Sequence, residues 1–115
     1  MARYLCSFTI VVSVDELRQL LVEVLQACNF DMLYNTSDYM MAREIPGKVP
    51  FAKLVTVEVL IDRTGATETE VRINCVVKNE ELPLQVDNHC YQMFKLIYQA
   101  IADNRHWQVV ESVTG

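Results

Sequence analysis

Glycine and proline are scarce in this chain, three of each in 115 residues. That excludes collagen-like and linker sequence. It also excludes a phosphate cradle, because Gly47, Gly65 and Gly115 are too far apart to build a glycine-rich loop. A nucleotide-using enzyme is therefore disfavoured. Bases are few as well: ten Lys and Arg stand against fifteen Asp and Glu, giving a net charge of −5, and the ten do not cluster. A field of that sign repels a polyphosphate, so no nucleic-acid partner is expected. No apolar run approaches the ~20 residues that span a bilayer, and no membrane insertion is expected. Residues 1–12 carry one base and a short apolar stretch. Ser7 and Thr9 interrupt that stretch in strand-like alternation, and no small-residue cleavage site follows before Asp15 and Glu16. The segment reads as a strand of a cytoplasmic protein.

Close cysteine pairs are also missing. Cys6, Cys28, Cys75 and Cys90 are widely spread with no C-x-x-C, which removes zinc-ribbon and thioredoxin-like motifs. Each falls on the apolar face of its predicted element, as buried, reduced cysteine does. What remains is 51% apolar and 22% charged residues, a globular composition sufficient for one domain over residues 1–115.

Residues 3–12 alternate, with Tyr4, Cys6, Phe8, Ile10 and Val12 on one face and Leu5, Ser7, Thr9 and Val11 on the other. Ser13-Val14-Asp15-Glu16 reads as a capping box, with Val12 and Leu17 placed as its hydrophobic staple. The helix behind it carries Leu17, Leu20, Leu21, Val24, Leu25 and Cys28 in one stripe, and Asn29 suits a left-handed C-terminal cap. Short strands are expected at residues 30–34 and 39–44, followed by a turn at Pro46-Gly47. Residues 51–62 give the strongest strand signal, with Val55, Val57, Val59 and Ile61 facing in. A hairpin loop at residues 63–66 leads to a partner strand over residues 68–78, where Val71, Ile73, Cys75 and Val77 face in. After a loop at residues 79–84, Asp87 is expected to cap a last helix bearing Cys90, Met93, Phe94, Ile97 and Ile101, running to about residue 103. The tail at residues 106–110 either adds a short strand or packs across that helix.

The order β-α-β-β-β-β-α predicts a two-layer α+β fold: an antiparallel meander of four to five strands with two helices on one face. The first helix should carry the chain from the opening strand to the far edge. This order, the pattern L-x-x-L-L-x-x-x-L ahead of Asn29-Phe30, and a strand ending Ala42-Arg43-Glu44 resemble TBP-like and helix-grip α+β domains, including those of outer-membrane assembly lipoproteins. The match covers about residues 3–103 and is one of topology. The texture is also similar to small uncharacterised conserved proteins of cyanobacteria, a resemblance that implies no activity.

Candidate sites are few. His89-Cys90 is the one adjacent base and nucleophile, but neighbouring helix positions point about 100° apart, so His89 is expected to be exposed and Cys90 to lie in the core. His89 and His106 flank the last helix and cannot meet, and Glu80, Glu81 and Asp87 read as a solvated acidic loop. No catalytic residue, metal or cofactor is assigned. On the outer face of the sheet, Ser7, Thr9, Arg43, Thr56, Glu58, Arg72 and Asn74 form either a solvated surface with cross-strand Glu–Arg pairs or a protein-binding face. Tyr91 and Tyr98, seven residues apart, mark either the seam with the first helix or an exposed patch. Arg43, Glu58, Arg72, Asn74, Tyr91 and Tyr98 are thus the candidate protein-binding residues.

The expected function is a non-enzymatic interaction module: a small acidic adaptor, chaperone or assembly factor with an unidentified protein partner. The alternative is a helix-grip domain with a small ligand under the last helix. A homodimer through the edge of the opening strand, over residues 4–11, is expected unless the tail covers that edge.

Overall fold

The computed structural model describes residues 1–62, 64, 67, 69–82 and 88–115. The chain runs β1 (Ala2–Val11), α1 (Val14–Ala27), β2 (Phe30–Asn35), β3 (Tyr39–Glu44), β4 (Thr56–Asp62), β5 (Glu70–Asn79), α2 (His89–Ala102) and β6 (Gln108–Thr114). The six strands form one antiparallel sheet in the order β2-β3-β4-β5-β1-β6. This is the expected two-layer α+β fold with one strand more than the four to five anticipated. As the sequence order implied, α1 carries the chain from β1 to the far edge.

Local signals act as the residues suggest. Ser13 caps α1, its Oγ accepting from the amide of Glu16 at 3.3 Å. Asn29 ends the helix with φ at +74°, a conformation that asparagine tolerates better than most residues. Gly47 takes φ at +124° in the turn after β3. The alternation of β1, β4 and β5 sends Cys6, Phe8, Ile10, Val57, Val59, Ile61, Val71, Ile73, Cys75 and Val77 into one core with Leu17, Leu21 and Leu25 of α1 and Cys90, Phe94, Ile97 and Ile101 of α2. All four cysteines are buried there and unbridged. Cys6 and Cys75 stand directly opposite each other across β1 and β5.

Several expectations are corrected. The strand read from residue 51 starts at Thr56; a single 3₁₀ turn, Phe51–Lys53, precedes it. Proline at position 50 supplies no amide to a ladder, and Phe51 is left outside the core at 74% exposure. The cap of α2 is Asn88, whose side chain accepts from the amide of Tyr91 at 2.7 Å. Asp87 lies outside the described residues, as do Pro83 and Leu84 of the preceding loop and three of the four residues of the hairpin loop at 63–66. Of the two placements expected for the tail, the structure shows the added strand. Trp107 packs into the core and donates its indole N–H to the carbonyl of Ile101 at 2.9 Å, satisfying one helix-end acceptor, and the chain then adds β6 beside β1. β1 is therefore not an edge strand. β6 pairs with Cys6 to Val11, with a bulge near Thr9, so the open ladder expected over residues 4–11 is covered along most of its length.

Candidate interaction face and the polar cluster at the start of α2

The side of the sheet away from the helices carries Arg43, Glu58, Arg72 and Asn74, as expected. The register places them in rows across the strands. One row runs Tyr34, Met41, Glu58, Val76, Leu5. The next runs Tyr39, Leu60, Asn74, Ser7, Val113. These two form a central band in which apolar residues alternate with polar ones. Leu60 is 51% exposed, Val113 is exposed, and Leu5, Met41 and Val76 are half-buried.

Four polar members of the band are bonded in pairs. Ser7 Oγ donates to Asn74 Oδ1 at 2.7 Å. Tyr39 donates its hydroxyl to Glu58 Oε2 at 2.9 Å, and Lys78 forms an ion pair with the same carboxylate. The Lys78 hydrogen bond holds the Glu58 carboxyl below its usual range; burial opposes this and the Tyr39 hydroxyl adds to it. Burial, then the bond to Glu58, pushes the Tyr39 phenol up. The expected Glu–Arg pairing is thus replaced by Glu58–Lys78, while Arg72 stands opposite Asp62. Lys78 lies diagonally across from Glu58, one side-chain step along the same face, and its longer stem reaches the carboxylate.

Tyr91 and Tyr98 belong elsewhere. Neither lies at the seam with α1. Tyr91 packs on Tyr4 at 5.3 Å between ring centroids, and Tyr98 packs on Phe8 at 5.1 Å while donating to Ser112 Oγ at 2.9 Å. Both are half-buried between α2 and the β1–β6 side of the sheet, opposite the outer face. The six candidate residues therefore do not form one surface: four lie on one side of the sheet and two on the other.

A polar cluster at the start of α2 was not anticipated. Glu44 ends β3 at 2% exposure, and its Oε1 accepts from the amide of Val55 at 3.1 Å. His89 Nε2 sits 2.8 and 3.0 Å from the two oxygens of the same carboxylate. His89 is half-buried on Glu44, not exposed as its first-turn position suggested. Glu81 is not part of a solvated acidic loop either. Its oxygens accept from the amides of Cys90 at 2.9 Å and His89 at 3.3 Å, and Asn79 donates to it from its side chain. Burial works against the charged form of Glu81, but these donors and Lys53 outweigh it and lower its pKa.

The neighbouring thiol is turned away from this chemistry. Cys90 is buried with Sγ 3.6 Å from the carbonyl oxygen of Val77, and burial, reinforced by Glu81 and Glu44, pushes its pKa up to about 12. A thiol so protonated is no nucleophile near neutrality, and the His89 ring is engaged by Glu44 instead. Among the described residues no three His, Cys, Asp or Glu side chains are grouped so as to hold a metal ion, and no helix is long and apolar enough to cross a membrane.

The outer-face apolar residues did have a sequence signal. In Val55-Thr56-Val57-Glu58-Val59-Leu60-Ile61-Asp62, leucine occupies the polar phase of the strand, as Val76 does in β5 and Leu5 in β1. Glu44 and His89 had none, because 45 residues separate them and only the fold brings them together. No family model, curated protein or solved structure matches this chain.

Proposed function

We propose that this protein is a non-enzymatic interaction module, an acidic adaptor or assembly factor, whose docking face is the outer side of its sheet. The observation that carries this is the central band: five apolar side chains, at least half of Leu60 open to solvent, beside polar groups already bonded to each other. A partner laid on such a face buries apolar area while Ser7, Tyr39, Glu58 and Lys78 keep their bonds within the sheet, which spares the cost of about 1–3 kcal/mol for each group left unsatisfied. The partner is protein and not nucleic acid. Arg43, Lys78 and Arg3 share this face with Asp31 and Glu58, Lys78 is ion-paired to Glu58, and the rings of the band, Tyr34 and Tyr39, sit together at its β2–β3 end without a basic groove running past them. Four buried, unbridged thiols suit a reducing compartment, which supports a cytoplasmic location.

Site-specific photo-cross-linking in the native cell tests the face. A benzophenone amino acid in place of Leu60 should form adducts with protein, while the same group in place of the exposed Gln92 on α2 should not. Absence of adducts at position 60, or equal yields at the two positions, removes the face from the proposal.

The ligand-binding alternative finds little room under α2, where Ile73, Cys75, Val77, Cys90 and Ile97 are each at most 1% exposed. A surface cleft of about 420 Å3 lies at the edge of α2, bordered by Arg3, Tyr4, Leu5, Tyr91 and Phe94.

A further inference from the structure

The outer face is not uniform along the strands. At one end of the central band stand Arg43, Lys78 and Arg3 with Asp31, three bases and one acid. At the other end stand Asp62, Glu111 and Glu70 with Arg72, three acids and one base. Lys78 is ion-paired with Glu58, the one charge of the middle, so the excess charge of the face is carried by Arg43 and Arg3 at the basic end and by Glu70 and Glu111 at the acidic end.

Two copies of such a face can meet about a two-fold axis in two simple ways. An axis parallel to the strands lays the basic end on the basic end. An axis in the plane of the face but perpendicular to the strands reverses the strand direction, lays the basic end on the acidic end twice, and lays the central band on its own copy. Only the second is complementary, and a two-fold interface must be self-complementary. The size fits as well. Six strands spaced ~4.8 Å and about seven residues long at ~3.3 Å project roughly 650 Å2, close to the ~800 Å2 per partner of a stable interface. Face-to-face packing of sheets is an established arrangement, with ~10 Å between layers.

We propose that the occupant of the outer face is a second copy of this chain, packed sheet against sheet about a two-fold axis perpendicular to the strands. This rests on the docking-face reading above, and the test separates the two. Light scattering at tens of micromolar should give a mass of about 26 kDa, twice the 13.2 kDa chain. Leu60→Arg should raise the dimer dissociation constant about 100-fold or more while leaving circular dichroism and thermal midpoint near those of the wild type. Arg3→Glu and Glu111→Arg, both at exposed positions, should each weaken the dimer about 10-fold, and the double variant should recover to within about threefold of wild type. The charge variants keep the test decisive if Leu60→Arg misfolds.

A monomeric wild type overturns the proposal. So does a Leu60→Arg protein that stays dimeric, or a double variant no better than the singles. Dissociation by Val110→Pro in β6 but not by Leu60→Arg also overturns it, because the copies would then pair edge to edge. In the photo-cross-linking experiment, adducts of position 60 with the same chain support the proposal. Adducts with a different protein on a monomeric chain overturn self-association and keep the docking face. No adduct at all removes both.

Discussion

At the start of α2 the fold shifts the protonation of two side chains, Cys90 upward and Glu81 downward. Cys90 ionises near 9.0 when unperturbed and near 12 in the fold. Between those values the native state holds a proton that the unfolded chain releases. Cys90 therefore adds no pH dependence below about pH 9, and stability falls as pH rises above it, by up to about 1.4 kcal/mol per unit from this group. Cys75, through its hydrogen bond with Cys6 and its burial, and Cys28, through burial, are shifted the same way. Urea unfolding between pH 8 and 10.5 should show a steepening decline, and Cys90→Ala should make it shallower by about one proton. Identical slopes would show that Cys90 is not held protonated. Glu81 works in the opposite direction. Its lowered pKa adds stability that is present above the ordinary value of 4.5 and lost as pH falls through the folded one. Glu81→Ala should cost about 1–3 kcal/mol at pH 7, because the amides of His89 and Cys90 lose their acceptor, whereas Glu80→Ala at an exposed position should stay within about 0.5 kcal/mol. Equal effects of the two in thermal or urea melts would remove the capping role.

At the scale of elements, the chain is legible where a periodicity and a terminating signal coincide. Val57→Asp should unfold the protein, since Val57 is fully buried and an unpaired carboxylate there costs several kcal/mol out of a total of about 5–15. Thr56→Asp, one residue away on the outer face, faces Lys78 and should be tolerated. Circular dichroism of the two variants checks the register of β4 directly. That register, like those of β1 and β5, follows from strict alternation, and the α1 boundaries follow from Ser13 and Asn29. Three features escaped for different reasons. Apolar Phe51 extends the strand pattern ahead of β4, while Pro50 and a 3₁₀ turn hold the strand back to Thr56. The cap of α2 was placed one residue early because Asp87 and Asn88 are both capping residue types, and only the backbone geometry singles out Asn88. For the tyrosines the sequence leaves a seam with α1 and an exposed patch both open, because helical spacing tells which residues share a face but not which neighbour that face meets; the partners are Tyr4 and Phe8 of β1. The outer-face candidates Arg43, Glu58, Arg72 and Asn74 were legible from alternation, but the choice of Lys78 as the partner of Glu58 depends on strand register.

For the whole molecule, β6 decides what the fold presents to its surroundings. Without it, the sheet would end at β1, and Cys6 to Val11 would show an unpaired ladder with no proline and no charge to guard it. With it, the exposed edge is a bulged strand that carries Glu111, and Trp107 pins the connection by closing the end of α2 and filling the core. Removal of residues 107–115 combines two losses that a second variant separates. Trp107→Ala deletes the buried indole alone and should cost about 3–5 kcal/mol, while β6 still covers β1. The truncated chain loses that packing and also uncovers the β1 ladder, so it should be less stable than Trp107→Ala and should associate beyond a dimer in a concentration-dependent way. Light scattering and urea melts of the two variants test this. A truncated chain that stays as small as Trp107→Ala would show that β1 is protected by something other than β6, and would restore the outer face and the β2 edge as the surfaces that govern assembly.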